Sequence, residues 1–332
     1  MSISVIKPGL LDTMQDLGRY GYGSLGINCG GAMDRYAAQL ANMMVGNAVQ
    51  EAVLEMHFPG PQLLFEQNAL ICISGADFSP SLNDQPLPLC QPLLIRKNTI
   101  LHFPRLQWGA RCYIAIHGGF SVDEWLNSYS TNLKAAAGGY AGRKLEKGDE
   151  LISKESTIYF PALMKAGKDV HALPWRTATN SVYQFPHEIL FVRGHELDAL
   201  TPAAKDEFMQ SNFTIHPFSD RMGYRLKGPL LHFETPTELV STGVSFGTIQ
   251  LLPDGEMIIL MADHQTTGGY PRLGHVMAAH LPKLAQLRPS DCIQFKEISI
   301  AKAEEAFFAQ QRDLSILQTA CYDHLNALVC KQ

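Results

Sequence analysis

Residues 262–272 form the segment of this chain that is richest in side chains able to do chemistry. They include an acid, an imidazole, an amide, hydroxyls and a guanidinium around two adjacent glycines. The segment follows the apolar run 257–261, which predicts a buried strand that holds a polar loop in a fixed place. Loops on rigid strands commonly carry binding and catalytic residues. A solvated turn is the alternative, and the residue types alone leave both open.

A second polar loop lies near the N-terminus, at residues 12–23. Its Gln15, Asp16 and Arg19 could bind an amide, a carboxylate or a phosphate, because a guanidinium offers a planar fork of donors. An internal pair between Asp16 and Arg19 that fixes the loop is the alternative. Just downstream, Asp34 is predicted to cap a helix N-terminus, a role that opposes anion binding there.

A third polar loop spans residues 219–226. It places Asp220, Arg221, Tyr224 and Arg225 around one glycine. The two guanidinium groups could hold a carboxylate or a phosphate. A salt-bridge cluster at the surface is the alternative interpretation of the same residues.

Composition narrows the class of protein. The 332 residues carry a formal net charge of −5, and no basic block suggests nucleic-acid binding. No apolar run approaches the length of a membrane span and no signal peptide is evident, so a cytoplasmic protein is expected. The seven cysteines and twelve histidines show no metal-ligand spacing, and we predict no metal site. Cys72, Cys112 and Cys292 lie in apolar runs and are expected to be buried.

Short β-like runs separated by turn residues predict a mainly β fold with a few helices, arranged as a barrel or a sandwich. Predicted strands lie at 62–65, 69–74, 93–96, 100–103, 112–117, 188–193, 213–217, 248–252 and 257–261. Predicted helices lie at 34–45, 197–210, 276–284 and 300–328. The pattern G-x-x-x-x-G-K-[ST] does not occur, which argues against a P-loop nucleotide site.

The stretch 161–186 contains scattered prolines and weak periodicity, and it predicts a linker between domains at 1–160 and 187–299. Residues 300–332 follow as an amphipathic helix that packs either on its own domain or on a partner. Residues 95–103 and 287–295 share an apolar residue and Arg, then a turn, then a strand ending in Phe. Two related β domains would explain this similarity, and chance would explain it too.

Several motifs, taken together and in order, resemble the biotin-dependent carboxyltransferase / allophanate hydrolase subunit 2 family. They are QDLGRYG at 15–21, GAMD at 31–34, SGAD at 74–77, SDRMGYRL at 219–226, QTTGGYP at 265–271 and LPKLAQLRP at 281–289. The resemblance runs over residues 7–308, which is nearly the whole chain.

The resemblance implies two tandem cyclophilin-like β-barrel domains, and it implies partners. In the 5-oxoprolinase system, a member of this family acts as the C subunit, together with an A subunit and a KipI-like B subunit. That complex opens 5-oxo-L-proline to L-glutamate with ATP and Mg, and no cofactor bound tightly to this chain is expected. The family offers two alternatives, a carboxyltransferase subunit of a urea-carboxylase type system and a KipA-type regulatory protein that binds a KipI-like kinase inhibitor.

A small amide or lactam substrate gives the polar residues candidate roles. Asp16, Asp263 and His264 are candidates for acid–base catalysis. Arg19, Arg221 and Arg272 are candidates for binding anionic groups. Further candidates for binding or orienting the substrate are Gln15, Asp220, Tyr224, Gln265, Thr266, Thr267 and Tyr270.

Two positions depart from the pattern of the family that the chain resembles. Where the family usually has Arg, this chain has His264, which replaces a fixed positive charge by a group that titrates near neutral pH. Where the family commonly has Ser, this chain has Gly30. The loss of the fixed positive charge at His264 argues against anion binding at that position.

Overall fold

The computed structural model describes residues 2–154, 167–184, 187–235 and 239–329. The chain divides into two compact units. The first unit comprises Met1–Gly18, Asp34–Thr179 and Asp313–Gln332, and the second comprises Arg19–Met33 and Asn180–Arg312. The predicted boundaries differ from this division, because residues 19–33 belong to the second unit and not to the N-terminal one.

The first unit consists mainly of antiparallel strands. They are β1 Ser2–Lys7, β2 Asp12–Gln15, β3 Val53–His57, β4 Gln62–Phe65, β5 Ala69–Asp77, β6 Ser81–Leu82, β7 Gln85–Pro86, β8 Pro92–Ile95, β9 Thr99–His102, β10 Trp108–Ile116, β11 Glu150–Ile152 and β12 Val170–Ala172. Among the described residues they form two six-stranded sheets, in the orders β11-β1-β4-β9-β6-β7 and β12-β8-β5-β10-β3-β2. Alternate residues such as Ile3 and Val5 point into the core.

Helix α1, Arg35–Met44, lies in the first unit and confirms the predicted helix and its cap. Asp34 Oδ1 accepts a hydrogen bond of 2.9 Å from the backbone N–H of Ala37, which satisfies one of the donors that a helix start leaves open. The predicted apolar face of α1, which includes Leu40 and Met44, is buried.

Asp12, at the start of β2, is a buried carboxyl whose pKa is raised from 3.8 to about 7, chiefly by desolvation. The folded protein therefore favours the protonated form, and the resulting stability is complete below pH 3.8 and is lost as the pH rises through about 7. We expect Asp12→Asn, which is neutral at every pH, to remove this loss. This loss of stability amounts to at most about 4 kcal/mol. Urea unfolding of the wild type and of Asp12→Asn at about pH 5 and about pH 8, on either side of the shifted pKa, measures the loss of stability.

The control for Asp12 is Asp149, whose pKa is lowered chiefly by its hydrogen bonds with Arg143. Asp149→Asn is expected to lower stability by a similar amount at about pH 5 and about pH 8, because a depressed carboxyl pKa contributes stability that is present above the ordinary pKa of 3.8 and disappears only at more acid pH. Equal pH dependence of unfolding in the wild type and in Asp12→Asn would show that Asp12 ionises as readily in the fold as in the unfolded chain.

The second unit contains a closed barrel of seven strands in the order β13-β20-β17-β18-β15-β14-β21, within the described residues. Its strands are β13 Glu188–Arg193, β14 Phe213–Ile215, β15 Gly223–Lys227, β16 Thr242–Gly243, β17 Thr248–Leu251, β18 Met257–Leu260, β19 Thr267–Gly268, β20 Arg272–Val276 and β21 Cys292–Glu297. β16 and β19 form a separate two-stranded sheet. Phe191, Phe208, Phe213 and Phe295 pack against one another in the core.

The helices of the second unit are short except for the last. They are α2 Asn180–Tyr183, α3 Pro202–Gln210, α4 Leu281–Ala285 and α5 Ile300–Val329, with 3₁₀ turns at Gly23–Leu25, His195–Ala199 and Ala278–His280. Residues of α5 from Asp313 onward belong to the first unit. There Cys321 Sγ lies 3.5 Å from Met44 Sδ, and the ring of His324 stacks on Trp175 at 5.0 Å.

The mainly β fold with few helices is confirmed, and several details are corrected. The predicted linker 161–186 contains a strand at Val170–Ala172, which pairs with β8; residues 161–166 and 185–186 lie outside the described chain. The predicted helix 276–284 is wrong at its start, because Val276 ends β20. Cys292 is exposed, since β21 alternates and turns Ile293 and Phe295 inward.

No helix among the described residues is long and apolar enough to cross a membrane.

Candidate functional site

Two of the predicted polar loops meet at the end of β18. The backbone N–H of Asp263 donates to the carbonyl of Arg221 at 2.8 Å, and Met261 N–H donates to the carbonyl of Met222 at 3.0 Å. These bonds continue the pairing of β15 with β18 past the strand ends. The loops 219–226 and 262–272 are therefore held side by side by main-chain hydrogen bonds.

The side chains of Arg221 and Asp263 then form a two-point ion pair. Nε of Arg221 lies 2.7 Å from Oδ2 of Asp263, and Nη2 lies 3.0 Å from Oδ1. The guanidinium is only 6% exposed. Removing one partner of a pair with this fork geometry and burial costs more stability than removing one partner of an exposed pair. Arg221, predicted to bind an anion, has an internal carboxylate partner.

Residues 19–33 join the same cluster, which explains why they belong to the second unit. Nη2 of Arg221 donates to the carbonyl of Gly31 at 2.7 Å. Nδ2 of Asn28 donates to the carbonyl of Asp263 at 3.0 Å. Arg19 N–H donates to the carbonyl of Cys29 at 2.7 Å. Asn28 is missing from the predicted site residues because nothing in its local sequence marks a partner so distant in the chain.

Gly30 lies between two charged groups. A Cβ at residue 30 would lie 3.1 Å from Nη1 of Arg19 and 3.7 Å from Oδ1 of Asp263. Its φ of 63° is in the left-handed region that favours glycine. Arg19 is 2% exposed. The cluster thus contains two guanidinium groups, those of Arg19 and Arg221, and the carboxylate of Asp263.

His264 follows Asp263 in the sequence and is buried. A hydrogen bond to the main chain defines the orientation of its ring. Nδ1 lies 2.5 Å from the carbonyl oxygen of Gln265. A carbonyl can only accept, so Nδ1 carries the hydrogen and Nε2 is the basic nitrogen of the neutral ring.

Other residues of the loop 262–272 make contacts elsewhere in the second unit. Thr267 pairs with Gly243 in the small sheet of β16 and β19, and the carbonyl of Thr266 accepts from Val244 N–H at 3.2 Å. Tyr270 is 43% exposed and lines a mainly apolar cavity of about 550 Å³.

Gln250 is a residue that the sequence reasoning missed. It lies on β17 and is fully buried. Its Nε2 is 3.5 Å from the carbonyl of Tyr270, and its Oε1 has no hydrogen-bond partner in the described part of the chain. A Cβ at Gly268 would meet Nε2 of Gln250 at 2.8 Å and Nε2 of Gln265 at 3.5 Å. Two amides therefore flank Gly268. The available signal was an amide between two apolar residues, Ile249 and Leu251, in a predicted strand.

Gln15 and Asp16 lie in the first unit, and Asp16 serves there to fix loops. Its carboxylate accepts hydrogen bonds from Gly18 N–H at 2.7 Å, Ser128 Oγ at 2.8 Å, Tyr129 N–H at 2.6 Å and Ser130 Oγ. Gln15 Nε2 donates to Thr13 Oγ1 at 3.0 Å. With its oxygens occupied by donors of the chain, Asp16 is poorly placed for proton transfer.

Two other predicted residues make structural contacts within the second unit. Oδ1 of Asp220 accepts from Met222 N–H at 2.7 Å and closes the turn before β15. Tyr224 points into the barrel core, and its hydroxyl lies 3.4 Å from the Leu287 carbonyl. These contacts leave neither side chain directed at the Gly30 position.

Arg272, at the start of β20, has partners of its own. Nη1 donates to Thr242 Oγ1 at 3.0 Å, and Nη2 is 3.6 Å from Oε1 of Glu196. Its charge is thus countered by a carboxylate. No group of three or more His, Cys, Asp or Glu among the described residues could hold a metal ion.

A family model describes this architecture. The model of the carboxyltransferase domain, subdomain A and B, matches residues 25–297. The chain belongs to this carboxyltransferase domain family. The match includes the Arg221–Asp263 pair, Gly30 and the whole of the barrel.

Curated relatives extend over nearly the whole chain. This chain is 34% identical to the C subunit of 5-oxoprolinase from Haemophilus influenzae, over 88% of its own length and 89% of that protein. It is also 34% identical to the C subunit of 5-oxoprolinase from Escherichia coli, over 93% of this chain and 96% of that protein. The similarity therefore covers most of the length of both relatives.

A solved structure shows the same fold inside a larger enzyme. The K. lactis urea amidolyase superposes on 95% of this chain with a TM-score of 0.85 and 30% identity. This chain covers 20% of that protein, which is about a fifth of its length. The fold of this chain therefore occurs both in relatives of similar length and as a part of a multidomain protein.

Proposed function

We propose that this chain is the C subunit of a heteromeric, ATP-dependent 5-oxoprolinase that acts with the A and B subunits to convert 5-oxo-L-proline to L-glutamate. The observation that carries the proposal is 34% identity to the C subunit of a 5-oxoprolinase over 93% of this chain and 96% of the relative. The proposal places the complex in the cytoplasm, where ATP is available.

The chemistry of the substrate matches the groups beside Gly30. 5-Oxoproline is a small lactam that carries one carboxylate, one N–H and one carbonyl. In the proposal, Arg19 binds the carboxylate, since a guanidinium binds carboxylates with two parallel donors. Arg221 and Asp263 hold the loops around that position and do not themselves transfer protons.

The ring-opening step needs a lactam held in one orientation and a group that moves a proton. In the proposal, the amides of Gln250 and Gln265 orient the lactam, because each can donate to a carbonyl and accept from an N–H. His264 exchanges the proton through Nε2. Thr266, Thr267 and Tyr270 complete the polar lining of the same loop.

ATP and Mg are assigned to the complex as a whole. The described residues contain no acidic cluster that fits a magnesium ion, and no P-loop motif occurs in the sequence. We therefore assign no step on this chain to the nucleotide. Activation of the lactam carbonyl is supplied by the partner proteins when ATP is bound.

A second candidate is a carboxyltransferase subunit that acts on a small amide such as urea. The observation that favours it is the close superposition on the K. lactis urea amidolyase, together with 32% identity to the urea amidolyase of Lachancea kluyveri over 96% of this chain. A third is a KipA-type regulatory protein, which would bind a KipI-like partner without turnover.

The test is a reconstitution with defined components. The A and B subunits encoded in the same genome are co-expressed with and without this chain, and glutamate release from 5-oxo-L-proline and ATP is measured. We expect release only when all three are present. Full activity without this chain would reject the proposal. Carboxylation of urea by the chain with a carboxybiotin donor would favour the second candidate, and binding of a KipI-like protein with no turnover of either substrate would favour the third.

A further inference from the structure

His280, at the N-cap of helix α4, and Lys283, within α4, form a buried pair of nitrogen bases in the second unit. Each residue is only 7% exposed. Nζ of Lys283 lies 3.2 Å from Nε2 of His280. Both belong to the segment around the LPKLAQLRP motif, and neither has a role in the proposed 5-oxoprolinase site.

The hydrogen bonds of His280 determine which atoms carry protons. Nδ1 accepts from the backbone N–H of Leu190 at 3.0 Å. An amide N–H can only donate, so Nδ1 is unprotonated and the ring is neutral with its hydrogen on Nε2. That N–H faces Nζ of Lys283. A hydrogen bond between them requires Nζ to accept, which only the neutral amine can do, since an ammonium has no lone pair.

Burial acts in the same direction on both groups. The pKa of His280 is lowered to about 3, first by desolvation and then by Lys283. Desolvation also lowers the pKa of Lys283, and Glu188 on β13 opposes that shift. The Glu188 carboxylate is 3.4 Å from Nζ of Lys296 on β21, so its charge is shared with another ammonium.

We propose that Lys283 is a neutral, nucleophilic amine at neutral pH and a site of covalent modification by small, uncharged carbon electrophiles. Isocyanic acid represents this class. The Nζ lone pair forms a bond to the carbon, the C=N π pair moves to the reagent nitrogen, and that nitrogen takes the proton which Nζ releases. The product is a urea on Lys283, with no leaving group. The proposal is independent of the 5-oxoprolinase assignment.

The first test compares Lys283 with an ordinary lysine of the same protein. The full chain is treated with cyanate at about pH 7 and about pH 9, and carbamoylation of Lys283 and Lys296 is quantified by peptide mass spectrometry. The ratio of the two rates cancels the pH dependence of the reagent. The neutral fraction of an ordinary lysine increases about tenfold per pH unit in this range. We therefore expect the ratio of Lys283 to Lys296 carbamoylation rates to fall by about 100-fold between these pH values. An unchanged ratio, or no modification of Lys283, overturns the proposal.

The second test does not depend on reagent access. Lys283→Arg places a permanent cation and only donors against the Nε2–H of His280, whereas Lys283→Met is neutral and of similar length. We expect the Arg variant to melt at a lower temperature than the Met variant, the reverse of the order for a lysine that is charged. Lys296→Arg and Lys296→Met are the matched controls and should melt alike. A higher melting temperature for Lys283→Arg than for Lys283→Met overturns the proposal.

Discussion

We expect Asp263→Asn to lower the free energy of unfolding by about 3 kcal/mol and the rate of glutamate formation by at least about 100-fold. The stability falls because the Arg221 guanidinium, 6% exposed, keeps its charge but loses its counter-charge, and breaking one side of a buried pair is costly. Turnover falls because Arg221 also holds the Gly31 carbonyl, and small misplacements at a site have effects of this size. Urea unfolding of the isolated chain and the reconstituted assay measure the two effects.

The matched control is an exposed ion pair on the same barrel. Nη1 of Arg225 on β15 lies 3.7 Å from Oε2 of Glu256, and the Arg225 side chain is half-exposed. Glu256→Gln should cost less than about 1 kcal/mol, because exposed pairs are weak. If Asp263→Asn unfolded at the same urea concentration as the wild type, the Arg221–Asp263 pair would not be what holds the two loops.

A double variant separates the structural role of the pair from its role at the site. Arg221→Met with Asp263→Leu removes both charges, and buried pairs replaced by apolar residues often lose little stability. We expect it to be more stable than Asp263→Asn. Glutamate formation should stay low, because the Gly31 carbonyl loses its donor and Gly30 is no longer held beside Arg19.

The strands of this fold follow from short-range patterns. The run 188–193 is predicted to the residue, because a short apolar run between turn residues has few alternatives. The similarity of 95–103 and 287–295 extends to the backbone, since Asn98 and Ser290 occupy matching positions and have φ of 62° and 74°. The prediction for Cys292 fails because an apolar run does not reveal which alternate residues face the core.

The candidate site depends on contacts that a local pattern cannot contain. Arg221 and Asp263 are 42 residues apart, and Asn28 reaches Asp263 over 235 residues. Residue types identify these side chains as able to bind ions, but only the fold decides whether an arginine meets a ligand or a carboxylate of its own chain. Asp16 illustrates the same limit, because its donors come mostly from residues 128–130.

Gly30→Ala is the variant that tests where the substrate binds. Its methyl group would stand 3.1 Å from Nη1 of Arg19 and 3.7 Å from Oδ1 of Asp263, at the position to which we assign the substrate carboxylate. We expect kcat/KM for 5-oxo-L-proline in the reconstituted complex to fall by about 100-fold, since a displaced substrate loses the geometry that the reaction needs.

The strain of alanine at a positive φ has to be separated from this steric effect, and Gly26 offers the control. Gly26 lies in the same segment at φ 76°, and a Cβ there meets no atom within 4 Å. Both variants should lose about 1 kcal/mol of stability, because left-handed backbone is unfavourable for alanine. Only Gly30→Ala should lose turnover, because only its methyl group lies between the cation and the carboxylate. Equal kcat/KM in the two variants would place the substrate elsewhere and leave Arg19 and Asp263 as structural residues.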